Sequence, residues 1–505
     1  MNSPSIERAF SARQITALSS VTLATLLLAA CGGGGGGSST PPPPVTPSNV
    51  APVANAGTDS SIDLPTDSMN LAGTATDDGL PTGSTLTYKW ELTTGPAGPN
   101  NSPGVVFANS TAAATAARFA GGVGDYTLTF KASDGSLTGN GTLHVSVKTN
   151  PNAYPAAPSA GVSGWVTATP AEENMDSTKL DQAKTYSMTA GITGNEAGYI
   201  IRHGRLVYTW GNVTTKYEMK STTKSMGGLA LLLALDEGKL ALSDKASAKL
   251  TVFGTDPLVD TSAVTTGGLA DITVQQLATH TAGFSKADVT PWKLLYTPGT
   301  TWAYSDQGLN WLADVLTQTY AQDLNTLMFS RVFTTLGIGA GDLDWRDNAF
   351  RSDTLSVSGT AVKRRELASG IRANVNAMAR VGQLMLRKGV WNNTLLLSNA
   401  IVATAHTPPP SVAPLTINDP TNFPGATTNY GVLWWTNATG QIAGIPTDAY
   451  WAWGLHETFI IVIPSLDLVV VRAGDHAWNP SSEFWNADYQ VLAPFITPIV
   501  QSITP

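Results

Sequence analysis

Between Val50 and Lys148, apolar and polar residues alternate in short runs. Leu86-Thr87-Tyr88-Lys89-Trp90-Glu91-Leu92 and Tyr126-Thr127-Leu128-Thr129-Phe130-Lys131-Ala132 are the clearest. Gly, Asp, Asn and Pro clusters separate them, so this stretch reads as an all-β unit of about seven strands. Farther along the pattern changes. Ala197–Arg202 and Gly204–Trp210 read as two strands joined by a turn at His203-Gly204. Met226 to Leu235 is then almost wholly apolar, which predicts a buried helix, and Gly238 ends it. The last 350 or so residues mix helix and strand signals, enough for one large α/β or α+β domain with a substantial core.

The front of the chain follows a different logic. Arg8 and Arg13 precede an apolar stretch, Ile15 to Ala30, that is short and rich in small residues for a membrane span. It ends in Leu28-Ala29-Ala30-Cys31, which resembles the bacterial lipobox. That resemblance makes residues 1–30 a lipoprotein signal peptide and Cys31 the lipidation site. Gly32 follows rather than aspartate, which favours outer-membrane attachment by analogy with bacterial sorting. Residues 31–49, with an unbroken glycine run and Pro41 to Pro44, read as a flexible tether. Residues 149–156 read as a second linker. The folded units are then 50–148 and 157–505.

Charge and cysteine content narrow the function. Removing residues 1–30 leaves 27 basic and 36 acidic residues. No basic stripe argues for nucleic acid. Cys31 is the only cysteine of 505 residues, so no disulfide framework exists. The six histidines are scattered and no cysteine pair accompanies them, so neither a metal nor another cofactor is expected. Low charge (13%) with 14 tryptophans suits an extracytoplasmic enzyme or a sugar- or polymer-facing surface.

The chemistry centres on Ser221-Thr222-Thr223-Lys224, just ahead of the apolar helix. Residues i and i+3 share a helix face, so Lys224 stands one turn from Ser221. A serine at a helix start meets unpaired backbone N–H groups and the positive end of the dipole, which stabilise an alkoxide or an oxyanion. The alternative use of the same tetrapeptide is a helix cap followed by a solvated lysine.

Two resemblances order the rest. Pro52-Val53-Ala54-Asn55-Ala56-Gly57, Asp77-Asp78-Gly79, Tyr88-Lys89-Trp90, Gly124-Asp125-Tyr126 and Ser133-Asp134-Gly135 resemble a PKD-type domain, which implies an immunoglobulin-like sandwich used as a spacer or adhesive module. Its aspartates suit turns better than calcium. The large domain resembles class C serine β-lactamases, their esterase relatives and the 6-aminohexanoate-dimer hydrolases. The hairpin, Ser221-x-x-Lys224 and the buried helix come in the family's order. Thr273 to Gly283 is similar to its T-x-x-x-L-L-x-H-T-S-G segment, and Pro298-Gly299 with Tyr304-Ser305-Asp306 to its P-G and Y-S-N motifs. Pro464 to Arg472 looks like its last long strand. The implied fold is the β-lactamase/transpeptidase type: an antiparallel sheet with helices and a helical subdomain.

The resemblance also assigns roles. Tyr304 is the third catalytic group, with a pKa lowered by the neighbouring lysine so that it takes the serine proton. Asp306 replaces an asparagine that faces substrate; a carboxylate only accepts where an amide can donate. In place of Lys-Thr-Gly stands Ala452-Trp453-Gly454-Leu455-His456-Glu457, in either of two registers. Trp453, Gly454, Leu455 and His456 are therefore substrate-side candidates, with a Leu455 or His456 N–H completing an oxyanion hole. His456 reads as a strand residue lining the cleft or as a base in deacylation. His280 reads as structural. Trp434 and Trp435 read as pocket wall or as core. The expectation is an exported, lipid-anchored serine hydrolase of carboxylesterase type, contacting the membrane through its N-terminal lipid. Its substrates are small esters or amides. The alternatives are an oligoamide or cell-wall peptide hydrolase and a silent surface binding protein.

Overall fold

The computed structural model describes residues 47–98, 102–149, 158–159, 164–190, 195–352, 354–475, 489 and 491–504. The signal peptide, Cys31, nearly all of the tether and nearly all of the 149–156 linker lie outside the described residues. No helix among the described residues is long and apolar enough to cross a membrane.

Residues 53–148 form the expected sandwich. One sheet has four strands in the order Ser60–Asp63, Thr138–Lys148, Gly124–Ser133, Thr87–Thr94; a second has three, Ser68–Ala72, Ala114–Arg118 and Val106–Phe107. The alternation is expressed as burial: Tyr126, Leu128, Phe130 and Ala132 point inward and their neighbours do not. Trp90 is the centre of this core, packed on Phe130 with its indole N–H on Ala113 O. The aspartates serve turns: Asp134 Oδ1 accepts the Ser136 and Leu137 N–H groups, and Asp77 accepts that of Gly79.

The large domain is built on a six-stranded antiparallel sheet. Its strands are β1 (Glu196–Arg202), β2 (Arg205–Gly211), β3 (Trp435–Thr436), β4 (Tyr450–Gly454), β5 (Thr458–Ile463) and β6 (Leu468–Gly474), in the order β2-β1-β6-β5-β4-β3. The β1–β2 turn puts His203 and Gly204 at positive φ, as a tight primed hairpin requires. β6 starts only at Leu468, because Pro464–Leu466 forms a short 3-10 turn. The central strands carry apolar side chains on both faces, since helices cover both. One face packs against α1 (Ser177–Ala190) and α5 (Ala493–Gln501), the other against α2 (Thr222–Asp236) and α4 (Val375–Leu386). α3 (Asp306–Tyr320) packs on α2 on the helical side. α2 is buried from Thr222 through Ala234, which explains its continuous apolar sequence.

Candidate active site

The start of α2 is fixed from several directions. Thr222 Oγ1 donates to Thr458 O at 2.7 Å, and Thr458 Oγ1 donates to Met219 O at 2.7 Å. Thr223 Oγ1 accepts the Ile371 N–H, and Ser225 Oγ donates to Leu433 O. A Cβ at Gly454 would lie 2.3 Å from Met219 O and 2.9 Å from Thr222 N, so only glycine lets β4 approach this closely. Ser221 is the residue just before the first helical position, and Lys220 before it holds φ +48°.

Lys224 is buried, 2% exposed, yet no proton of its ammonium is wasted. It donates to Ser221 Oγ at 3.0 Å, to Asp306 Oδ1 at 2.7 Å and to Ala368 O at 2.8 Å. Three donors meet three acceptors, one of them a carboxylate, and that offsets the cost of burying the cation. The ammonium also lies 4.8 Å from the centre of the Tyr304 ring.

Tyr304 is buried beside Ser221. Its pKa runs opposite to the sequence expectation. Burial, reinforced by the charge of Asp306, pushes the phenol well above its ordinary value, and the Ser221 side chain only partly opposes this. The lysine does not lower it because Asp306 is paired with that same lysine. Tyr304 is therefore a hydroxyl. His280 holds it in place: the rings stack at 4.4 Å, and His280 Nδ1 accepts the Ser305 N–H. Burial, with the Lys224 charge adding to it, pushes the pKa of His280 well down, so it stays neutral.

A model of the β-lactamase family matches residues 196–475, and a PKD domain model matches residues 56–147. The chain belongs to the β-lactamase family. Among solved structures, a Bacteroides dorei DSM 17855 protein assigned as a β-lactamase is 17% identical, with a TM-score of 0.50, over 65% of this chain and 99% of its own. EstCE1, a hydrolase with promiscuous acyltransferase activity, is 15% identical with a TM-score of 0.48, over 65% and 98%. A Bacillus anthracis protein assigned as a 6-aminohexanoate-dimer hydrolase is 15% identical with a TM-score of 0.48, over 69% and 90%. At 17% identity the first of these likenesses speaks to fold alone. No curated protein matches the sequence. The family makes the chain a serine hydrolase.

Within this hydrolase several substrate-side expectations need correction. Asp306 commits one carboxylate oxygen, Oδ1, to Lys224, and its side chain is 29% exposed. Trp453 does not wall the cleft. Side chains alternate along β4, and its indole falls on the α1/α5 face, 4% exposed, against Phe459 and Tyr489. Gly454, by contrast, lies against Met219 and Thr222 at the start of α2. Leu455 and His456 are turn residues between β4 and β5, not strand residues, and His456 has φ +67°. Trp434 is core against Tyr450, whereas Trp435 joins Trp302, Phe423 and Tyr430 in an aromatic wall beside Tyr304.

Three contributors escaped the sequence reading. Ala368 offers only a carbonyl, which no motif reports. Phe423 stacks flat on Tyr304, centroids 5.1 Å apart. Tyr430, buried, has its pKa driven up by burial and then by the proximity of Tyr304 and Asp306. Among the described residues no cluster of three or more His, Cys, Asp or Glu is placed to hold a metal.

Proposed function

We propose that Ser221, Lys224 and Tyr304 carry out acyl transfer through a covalent acyl-enzyme, in an enzyme of carboxylesterase type. The observation that carries this reading is the Lys224 ammonium, bonded at once to Ser221 Oγ and Asp306 Oδ1. As Ser221 Oγ attacks the substrate carbonyl, its proton passes to Lys224 while Lys224 yields one to Asp306. Net, the proton moves from serine to carboxylate. Tyr304, kept as a hydroxyl, protonates the leaving oxygen. Water then attacks the acyl-enzyme and returns a proton to Tyr304, and Ser221 recovers its own through Lys224. The Ser221 and Leu455 N–H groups enter no backbone hydrogen bond among the described residues, which suits them to the oxyanion.

Ester over amide or β-lactam is favoured by the lack of a cation in Ala452-Trp453-Gly454 and by the aromatic wall around Tyr304. Export and lipid anchoring through Cys31 remain part of the same proposal, supported by the Leu28-Ala29-Ala30-Cys31 sequence. That would place the hydrolase in the cell envelope, with an ester in the periplasm or at the surface as substrate. Mass spectrometry after a fluorophosphonate or a short p-nitrophenyl ester should find the adduct on Ser221. An adduct elsewhere, or full turnover by Ser221→Ala, refutes the assignment.

A further inference from the structure

α3 carries a polar stripe through an apolar helix. Asp306, Asn310 and Asp314 recur every four residues and so share one face. Asp306 bonds Lys224 directly. Asn310, fully buried, accepts two backbone N–H groups at Oδ1, from Leu367 at 2.9 Å and Ala368 at 3.3 Å. The Ala368 carbonyl is the third acceptor of Lys224. On its other side Asn310 donates to Asp288 Oδ2 at 2.7 Å. Arg351 grips both Asp288 oxygens, at 3.2 and 3.1 Å, and reaches Asp314 at 3.2 Å; Arg364 closes the set on Asp314 at 3.1 Å. Trp292 and Trp311 cover the Arg351 guanidinium.

Two carboxylates and two guanidinium groups balance in charge, but burying them is costly, and apolar packing of equal volume commonly serves stability as well or better. The cluster makes physical sense if it fixes a position. We propose that Asn310, braced by Asp288, Arg351 and Asp314, is a positioning residue that sets the Ala368 carbonyl and thereby aims Lys224 at Ser221. The proposal rests on Ser221 and Lys224 being the reacting pair. Without Asn310, two buried N–H groups lose their acceptor, the 367–368 peptide turns, and Lys224 is left with two acceptors and freedom to swing from Ser221.

The test uses the full chain and a p-nitrophenyl butyrate assay. Asn310→Ala should lower kcat about tenfold or more, the scale of one unmet buried hydrogen bond, with KM within about twofold. Asn310→Asp is near-isosteric. Its protonated carboxyl keeps the acceptor for Leu367 and Ala368 and donates to Asp288. Once ionised it faces Asp288 as a like charge, with Arg351 behind Asp288, Asp306 and Asp314 one turn away on α3 and Lys224 beyond Ala368. Its activity relative to the natural protein should approach one at acid pH and fall as pH rises, with the protein folded throughout. A folded Asn310→Ala with kcat within twofold overturns the proposal, as does a pH-independent activity ratio for Asn310→Asp; the second decides if the alanine variant does not fold. Ser221→Ala, assayed alongside, separates the failures. Turnover without Ser221 sinks the nucleophile assignment, whereas a dead Ser221→Ala beside fully active Asn310 variants sinks only the positioning role.

Discussion

Asp306 Oδ1 lies 2.7 Å from Lys224 Nζ, and the same nitrogen lies 3.0 Å from Ser221 Oγ. A carboxylate and a nucleophile candidate thus share one ammonium. An asparagine here could accept from Lys224 but could not take a proton from it. Asp306→Asn should therefore fold normally yet lose about tenfold or more in kcat on a short ester, since a charge-assisted bond and the final proton acceptor both go. Steady-state kinetics with a melting curve would check this. An unchanged kcat would remove Asp306 from the proton path.

Lys224→Ala and Tyr304→Phe should each abolish most activity and leave the fold intact. Lys224 carries the Ser221 proton and Tyr304 protonates the leaving oxygen of the same acyl transfer, so their effects should be grossly non-additive. A double variant whose loss equals the product of the two single losses would show that they work independently.

Much of this site was legible because its chemistry is local in sequence. Ser221 and Lys224 are three residues apart on a helix, and Tyr304 and Asp306 flank the first turn of another. The fold was legible too, in the period-two runs of the sandwich and the apolar run of α2. What stayed hidden depended on long-range placement. Ala368 acts through a main-chain atom. The face of β4 taken by Trp453 depends on strand register, and a one-residue change sends a side chain to the opposite side of the sheet. The pKa direction of Tyr304 turned on whether the lysine charge was already matched, and that needs the position of Asp306. The one unread local signal was Asp306, Asn310 and Asp314 at four-residue spacing within an apolar helix.

Acid should destabilise the hydrolase through a histidine that takes no part in the proposed chemistry. His406 stacks on Tyr450 at 4.0 Å, and burial pushes its pKa from 6.5 down to about 4. A depressed folded-state pKa means the unfolded chain binds the extra proton. The stability contribution is whole above pH 6.5 and is lost as pH falls toward 4, on the order of 3 kcal/mol in all. His406→Phe keeps a ring on Tyr450 and removes the titration. Its Tm should fall less than that of the natural protein between pH 7 and 4. Parallel Tm curves would contradict the assignment.

Substrate preference is the most direct check on the esterase reading. The third motif supplies no cation in either register, since Ala452 or Trp453 stands at its first position and both are buried. A substrate carboxylate of the penicillin kind therefore lacks the partner a lysine would give, a loss of about 1.5–3 kcal/mol for one charge-assisted bond. Asp306, spent on Lys224, offers no amide donor to an acyl-amide either. The surroundings of Tyr304 are apolar instead, with Trp302, Phe423, Tyr430 and Trp435 packed together and buried, so they give a carboxylate no charged partner. Both observations push the same way. The hydrolase should show a higher kcat/KM for a butyryl or hexanoyl ester than for any penicillin or cephalosporin, measured side by side on the same preparation. A β-lactam value above the best ester value would mean that a cation outside the third motif meets the carboxylate, and the esterase reading would fall.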